Sequence, residues 1–366
     1  MENQIDVRTL RQWLEENRPV TVLDVRTDED YAQWSIPGSM HVNAYEALKA
    51  GHAEALSKVD LPRNVPVVTI CNRGIVSGMA AQRLAQRGIP ALSLQGGMQA
   101  WTLAWNTARL NLAQLQITQV RRTGKGCLSY LLSSGHDAVV IDASLEPELY
   151  IELAQRQGFH IRYVLDTHIH ADHLSRSRRL AEATGAELWL PEQGRVHFSY
   201  HALKDGSELH FGDSVLHAIH TPGHTGESAC YFVDQRALFT GDTLFLSGVG
   251  RPDLHANSDE SRQRASQLFH SLKRILALDP NVLIFPAHTS EPVPFNGKVL
   301  TAQLGEVAVQ LRSWMASEES FAERVITRIP PTPPNYTRIT ELNETGVSPD
   351  GDVTELEAGA NRCAVS

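Results

Sequence analysis

Seven histidine and aspartate side chains of this sequence are spaced in a way that could bind metal ions. His168 and His170 stand two apart directly after an apolar run, so on an extended segment their side chains point the same way. Asp172 and His173 follow, and we predict them at the start of the next helix. Imidazole and carboxylate groups are the ligands that zinc, iron and manganese accept. Each group follows a predicted strand, so distant ligands could converge on one point. The complete set is His168, His170, Asp172, His173, His224, Asp242 and His288.

A second candidate centre is Cys71, which follows another apolar run and precedes a predicted helix. In open α/β sheets, ligands bind at the carboxyl ends of strands, and backbone N–H groups and a helix N-terminus there stabilise a thiolate. Gly74 lets the loop curl, and Arg73 adds positive charge. We predict Cys71, Arg73 and Ser77 as the catalytic residues of this loop. The alternative is a buried, inert cysteine.

The composition is that of an ordinary globular chain. Its 366 residues carry 33 Lys+Arg and 42 Asp+Glu, and the net charge of −9 argues against a nucleic-acid-binding surface. No apolar run reaches the ~18 residues of a membrane-spanning helix, and the acidic N-terminus lacks a signal-peptide pattern. The four cysteines are far apart and do not suggest a disulfide framework. We expect a cytoplasmic homodimer that binds neither nucleic acid nor membrane.

The elements that would position these residues indicate two α/β domains. In the first, short β-rich runs at 21–25 and 65–70 alternate with helix patterns at 7–16 and 76–86. The second has strand patterns at 138–142, 162–166, 214–219, 228–233, 237–240 and 282–285, with helices at 147–157 and 259–278. We place the domains at 1–108 and 113–300. A C-terminal helix and an extended, proline-rich tail (301–366) would pack on the second domain.

The first domain resembles a single rhodanese (sulfurtransferase) domain. The matching segments are Leu23–Arg26, Ile36–Ser39 with Asn43, Cys71–Ser77 and Gly96–Trp101. The resemblance implies that Cys71 carries sulfur as a persulfide, with the loop amides around its outer sulfur.

The metal-ligand pattern resembles the metallo-β-lactamase superfamily over about residues 113–295. The implied fold class is an N-terminal rhodanese α/β domain followed by an αββα sandwich. All seven positions of a two-metal site are present, so the motif leaves one metal or two open. Two branches of the superfamily compete: the glyoxalase II type, a thioester hydrolase with two metals, and the persulfide dioxygenase type, with one iron.

Several features favour the dioxygenase branch. The run Gly250–Asp253 resembles that branch, and so do the segments Gly126–Leu132 and Leu356–Val365. Glyoxalase II would need a helical C-terminal domain, which the proline-rich tail does not suggest. The glutathione-using dioxygenases commonly have a tyrosine where this chain has Ser290, and we find no Asn-Pro-Arg element downstream. Glutathione as the carrier thiol is therefore left open.

The resemblance implies one Fe(II) per chain, held by His168, His224 and Asp242, with zinc as the alternative. The other four residues would orient ligands or hold a second metal: His170, Asp172, His173 and His288. Arg251 is the candidate substrate contact. The expected partners are a low-molecular-weight persulfide, O2 and thiosulfate or sulfite. A third hypothesis is a non-enzymatic persulfide sensor or sulfur carrier with an idle metal site.

Overall fold

The computed structural model describes residues 3–349 and 351–366 and confirms the predicted α/β order. The first domain is a five-stranded parallel sheet with the order β1-β5-β4-β2-β3 and helices on its faces. Its strands are β1 Gln4–Ile5, β2 Thr21–Asp24, β3 Met40–His41, β4 Val67–Ile70 and β5 Ala91–Leu94. Its helices are α1 Val7–Glu15, α2 Asp28–Gln33, α3 Tyr45–Lys49, α4 Ile75–Gln86 and α5 Gly97–Trp101. The loop that begins at Cys71 therefore joins β4 to α4, as predicted.

The second domain begins with a seven-stranded mixed sheet of order β12-β11-β10-β9-β8-β7-β6. Its strands are β6 Asn106–Leu112, β7 Leu115–Arg122, β8 Cys127–Ser134, β9 Asp137–Ile141, β10 His160–Leu165, β11 Glu187–Pro191 and β12 His201–Leu203. Helices α6 Pro147–Gln157 and α7 Ser177–Thr184 cross over between the parallel strands. Because β6 pairs along its whole length with β7, the sheet starts at residue 106, before the expected boundary at 113.

A second sheet packs against the first and completes a sandwich. The remaining strands are β13 Glu208–Phe211, β14 Ser214–His220, β15 Ala229–Val233, β16 Ala237–Gly241, β17 Val249–Gly250, β18 Leu283–Pro286, β19 Ala302–Gln303 and β20 Ala364–Val365. Six of them form the sheet β13-β14-β15-β16-β18-β19. Tyr130 of the first sheet meets Phe239 and Phe285 of the second edge-on, with ring centroids 4.9 and 5.8 Å away. Such aromatic contacts hold the two sheets in a fixed relation.

The C-terminal segment contains more helix than the sequence indicated. After α8 Ser258–Ile275 come α9 Leu304–Leu311, α10 Glu318–Thr327 and α11 Tyr336–Thr345. We expected one helix and an extended tail, but α11 begins directly after the proline run, with Asn335 in the left-handed conformation at φ 63°. The tail then ends in β20, which pairs with β17 next to Asp242. Among the described residues, no helix is both long and apolar enough to cross a membrane.

The two domains are packed closely. Trp34 Nε1 of the first domain donates to Thr123 O of the second at 3.1 Å. A Cβ on Gly124 would lie 1.8 Å from Trp101 O, so only glycine permits this approach of the two backbones. The C-terminal tail bridges the domains, since Glu355 pairs with Arg73 at 2.8 Å.

Candidate metal centre and cysteine loop

The seven predicted metal-ligating residues lie together at one end of the sandwich. They come from the irregular loop 166–176 after β10 and from the loops that follow β14, β16 and β18. None of the seven is more than 3% exposed. Asp172 and His173 do not start a helix, as we had expected, because α7 begins only at Ser177. The loop curves instead, and this brings them beside His288.

His168, His224 and Asp242 form the first group. The Nε2 atoms of His168 and His224 lie 3.8 and 3.5 Å from Asp242 Oδ2. The other ring nitrogen of each histidine is held: His168 Nδ1 by Thr167 Oγ1 at 2.9 Å, and His224 Nδ1 by Arg251 O at 2.8 Å. Such outer contacts fix the orientation of a ligating imidazole and leave its other nitrogen facing the metal position.

The other four residues form a second group beside the first. His170 Nε2 lies 3.1 Å from Asp142 Oδ1, which leaves its Nδ1 free. His173 Nδ1 contacts Asp172 Oδ1 at 3.1 Å, which leaves its Nε2 free. His288 Nδ1 contacts Asp242 Oδ1 at 2.6 Å. His288 Nε2 lies 2.8 Å from Asp172 Oδ2 but has no hydrogen-bond geometry there.

Unpaired polar atoms are concentrated in this cluster. Among the described residues, nine buried side-chain nitrogen or oxygen atoms lack a hydrogen-bond partner, and five of them are here. The five are His168 Nε2, His170 Nδ1, His173 Nε2, Asp242 Oδ2 and His288 Nε2. Buried polar groups are rarely left unpaired, because each one carries a desolvation penalty. The donor set therefore fits one or two metal ions.

The electrostatics of His168, His224 and Asp242 suit a cation. Burial, and then the neighbouring His170, hold the pKa of His168 well below its ordinary value. Burial also lowers the pKa of His224. Burial would raise the pKa of Asp242, but the charges of His288 and His168 outweigh it and keep that pKa below the usual range. A neutral imidazole and an ionised carboxylate are the forms that bind metal.

Sequence analysis missed several residues that contact this cluster. Cys127 Sγ lies 3.4 Å from Asp172 Oδ2 and 3.7 Å from His173 Nδ1. Burial and Asp172 raise the pKa of this thiol, but His173 brings it down to about 6. Its position at the start of β8, in the run Gly126–Leu132, was the available signal. Side chains of the C-terminal segment also reach the cluster; they are Asn343, Glu357, Asn361 and Cys363.

Arg251, the predicted substrate contact, has its guanidinium engaged within the protein. Its side chain is fully buried, and Nε and Nη2 bind the Asp253 carboxylate at 2.7 and 2.8 Å. Its remaining amino group donates to the carbonyl oxygens of Pro331 and Arg362 at 3.2 and 3.1 Å. Arg251 contributes to the centre through its backbone carbonyl, which holds His224.

The cavities beside the metal-ligand residues differ in volume. One cavity of about 210 Å³ is lined by His168 and His170, and a more open groove of about 500 Å³ lies beside His224. On the side of Ser290 only about 30 Å³ remains, since tail residues such as Asn361 line that pocket. A substrate therefore has more room on the His224 side than on the Ser290 side.

Cys71 is 2% exposed at the carboxyl end of β4. Its Sγ accepts from Gly74 N at 3.2 Å and lies 3.3 Å from Ser77 Oγ. Gly97 presses against this loop, because a Cβ there would lie 2.2 Å from Cys71 O. Met98 N donates to the same carbonyl at 2.9 Å. The loop is thus held from both sides in a shape that directs an amide and a hydroxyl at the sulfur.

The guanidinium of Arg73 extends away from this centre. It pairs with Glu355 of the tail at 2.8 Å, and both side chains are mostly exposed. Of the three predicted catalytic residues, the structure brings Ser77 into contact with Cys71 and engages Arg73 with the tail.

Two family models match the chain. Residues 122–288 match the metallo-beta-lactamase superfamily, and residues 6–104 match the rhodanese-like domain. Each match contains the candidate centre of its domain.

Curated relatives match a little less than half of the chain. A hydroxyacylglutathione hydrolase of Rhizobium johnstonii is 33% identical over 178 residues, which are 48% of this chain and 66% of the relative. One from Methylococcus capsulatus is 38% identical over 165 residues, 43% of this chain and 60% of that protein. The chain thus spans slightly less than two thirds of the curated relatives that it matches.

Solved structures resemble a larger part of the chain. A metallo-beta-lactamase from Staphylococcus aureus is 25% identical with a TM-score of 0.58, over 66% of this chain and 74% of that one. ETHE1 from Myxococcus xanthus is 26% identical with a TM-score of 0.53, over 66% of this chain and 99% of that one. Together with the two family matches, these findings show a mixed α/β chain with an N-terminal rhodanese-like fold followed by a metallo-β-lactamase sandwich fold.

Proposed function

We propose that the chain is a persulfide dioxygenase that also transfers sulfur through Cys71. The observation that carries the proposal is that one chain contains two centres. One is the Cys71 thiol, with Gly74 N–H and Ser77 Oγ beside it, and the other is a group of two histidines and one carboxylate that could hold a metal ion. ETHE1, a persulfide dioxygenase, supports it because 99% of that chain is matched. The reaction is RSSH + O2 + H2O → RSH + H2SO3, in which the sulfane sulfur loses four electrons and O2 gains them. The sulfite formed is also a sulfur acceptor at a rhodanese site.

In the second domain, His168, His224 and Asp242 would hold one Fe(II). When bound, Fe(II) supplies open positions for O2 and for the substrate sulfur. Thr167 and Arg251 O keep the two imidazoles aimed at that point. His288 Nδ1 contacts Oδ1 of Asp242, and the other oxygen of this carboxylate, Oδ2, faces His168 and His224. These contacts fix the ligand directions before any ion binds, which reduces the reorganisation that binding requires.

In the first domain, Cys71 would attack the sulfane sulfur of thiosulfate as a thiolate. The S–S bond of thiosulfate breaks, sulfite leaves with the bonding electron pair, and a Cys71 persulfide forms. A small thiol then attacks the outer sulfur and regenerates the thiolate. The Gly74 N–H and the Ser77 hydroxyl, which contact Sγ, would stabilise its negative charge at both stages.

We propose a low-molecular-weight persulfide as the substrate of the second domain, without a requirement for glutathione. The residue at the expected tyrosine position is Ser290, and the adjoining space is small. The groove beside His224 has room for the carrier part of the substrate. We expect another small persulfide to match or exceed glutathione persulfide in kcat/KM.

The second candidate is a zinc-dependent thioester hydrolase of the glyoxalase II type. The named curated relatives are hydroxyacylglutathione hydrolases. The free ring nitrogens of His170, His173 and His288 provide donors for a second ion beside the first. The three helices after residue 303 also remove our sequence-based argument that the C-terminal segment does not form a helical domain.

Metal content and oxygen uptake separate the two candidates. The full chain, expressed with added iron, should bind about one iron, as a single two-histidine, one-carboxylate site requires. It should consume O2 and release sulfite when given glutathione persulfide or a panel of other small persulfides. Two tightly bound zinc ions, with hydrolysis of S-lactoylglutathione and no oxygen uptake, would favour the hydrolase. A strict preference for glutathione persulfide would contradict the substrate proposal.

A further inference from the structure

The loop 166–176 presents four of the seven ligand residues without any regular secondary structure. Buried backbone N–H and C=O groups need partners, and an irregular buried loop cannot supply them from its own backbone. Side chains from elsewhere supply them here. Asp142 binds Thr167 N at 2.7 Å, and Glu227 binds Ile169 N at 3.1 Å. The half of the loop from His170 onward depends on the C-terminal segment.

Asn343, on α11, makes three hydrogen bonds to this second half. Its Nδ2 donates to His170 O at 2.8 Å and to His173 O at 2.9 Å. Its Oδ1 accepts from Ser175 N at 2.9 Å. Only an amide side chain offers two donors and an acceptor at this size. One side chain therefore spans the turn that carries His170, Asp172 and His173.

The position of Asn343 is itself fixed by packing. Leu342 and Ile339 of α11 form a buried apolar cluster with Leu174 of the loop. The backbone N–H of Leu174 also donates to the buried Glu357 carboxylate at 2.6 Å. The helix is therefore anchored to the same loop on which its asparagine acts.

We propose that Asn343 is a positioning residue of the metal centre. It holds the turn of His170, Asp172 and His173, and Asp172 in turn faces His288, which contacts the proposed ligand Asp242. The inference rests on the metal centre of the proposed function but not on which reaction it catalyses. Loss of the two donated bonds would free the carbonyls of His170 and His173, and the ligand atoms would no longer converge. Removal of an outer contact of this kind typically weakens metal binding by roughly 10- to 100-fold.

The test compares Asn343→Asp with Asn335→Asp in the full chain, with cobalt(II) alone as the probe. Asn343→Asp keeps the size and the acceptor for Ser175 N, but it replaces the donor with an oxygen that faces two carbonyl oxygens. Asn335 precedes the same helix and donates to Leu356 O at 3.1 Å, with no contact to the ligand loop. The two variants therefore make the same chemical and charge change.

We expect Asn343→Asp to raise the cobalt Kd roughly 10- to 100-fold and to shift the cobalt d–d absorption bands. Asn335→Asp should retain the wild-type Kd and spectrum. Asn343→Ala should also weaken binding, and it tests the loss of the bonds without added repulsion. A spectrum reports ligand geometry, which a purely stabilising residue would leave unchanged.

Wild-type affinity and spectrum in Asn343→Asp would overturn the inference and leave the metal centre standing. Equal weakening in both variants would also overturn it, because the effect would then come from the attachment of the helix. A wild-type chain that binds no metal would overturn both the inference and the proposed metal centre.

Discussion

The Cys71 sulfur has polar contacts with residues that follow it closely in the sequence. The metal-ligand residues instead depend on distant side chains, such as Asn361, which is 189 positions from its partner Asp172. The thiol of Cys71 touches Gly74 and Ser77, three and six residues further on. Its geometry follows from one strand, one glycine turn and one helix, with Gly97 and Met98 of α5 packed against the loop.

The metal centre has no comparable local unit. Its ligands are brought together by the ends of strands in both sheets, and the C-terminal segment covers the ligand loop. A site of the first kind tolerates changes elsewhere in the chain. A site of the second kind is sensitive to distant substitutions, including ones in the tail.

The sharpest test of this difference is Asp242→Ala. Its carboxylate is the shared neighbour of His168, His224 and His288, and no other carboxylate of the cluster is placed to replace it. We expect loss of bound iron and of oxygen uptake to background, measured by metal analysis and an oxygen electrode. Sulfur transfer from thiosulfate to a thiol by the same sample should remain at the wild-type rate. Loss of both activities in a folded protein would show that the two centres are not independent.

The reciprocal variant is Cys71→Ser. A serine hydroxyl has nearly the same size, but it does not form the thiolate that attacks a sulfane sulfur. We expect thiosulfate-to-thiol transfer to fall to background, while oxygen uptake with preformed persulfide stays close to wild type. Oxygen uptake supplied by thiosulfate and thiol should disappear. His168→Ala should show the opposite pattern. If Cys71→Ser abolished oxygen uptake with preformed persulfide in an iron-loaded protein, Cys71 would belong to the oxidation pathway.

The two centres also differ in what the sequence could reveal. The β4–Cys71–α4 arrangement and all seven metal-ligand candidates were predicted, because residue type and position after a strand carry that information. Asn343 could not be found, since an asparagine on a polar helix has no pattern that marks its partners. The burial of Arg251 and its pairing with Asp253 could not be predicted, because they depend on how the tail packs.

A third prediction concerns the tail residue Glu357, which is buried between Arg122 and Arg176 at 2.8 and 2.5 Å. Glu357→Gln keeps the shape but removes the counter-charge of buried Arg122, and it leaves Arg176 with only the half-exposed Glu146 at 3.4 Å. We expect a loss of about 3–5 kcal/mol in the free energy of unfolding, measured with urea at pH 7. The described cysteine loop makes no contact with Glu357, so sulfur transfer by the folded fraction should be preserved.

The pH dependence of this effect follows from the direction of the shift. Burial would raise the pKa of Glu357, but Arg122 and Arg176 outweigh it and hold the pKa below its ordinary value. A carboxyl group with a depressed folded-state pKa contributes its full stability above the unfolded pKa of about 4.3 and loses it as the pH falls toward the folded value. The difference in the free energy of unfolding between wild type and Glu357→Gln should therefore be at its full size at pH 7 and become smaller below about pH 4. A difference that stayed constant down to pH 3 would mean that the charge of Glu357 is not the cause.

The smallest expected effect is at a direct contact between the tail and the cysteine loop, the Arg73–Glu355 pair. Both side chains are mostly exposed, so Glu355→Gln should change the free energy of unfolding by less than about 1 kcal/mol. It should also release the charge of Arg73 near the entrance to Cys71. Thiosulfate is a dianion, so we expect its kcat/KM to rise by less than about tenfold, with the gain disappearing at high salt as screening removes the attraction. Arg73→Gln should lower the same kcat/KM, and Glu319→Gln, on the exposed start of α10, serves as the charge-matched control. If Glu355→Gln instead changed oxygen uptake with preformed persulfide, the tail would transmit changes from one centre to the other, and the local character of the cysteine loop would have to be given up.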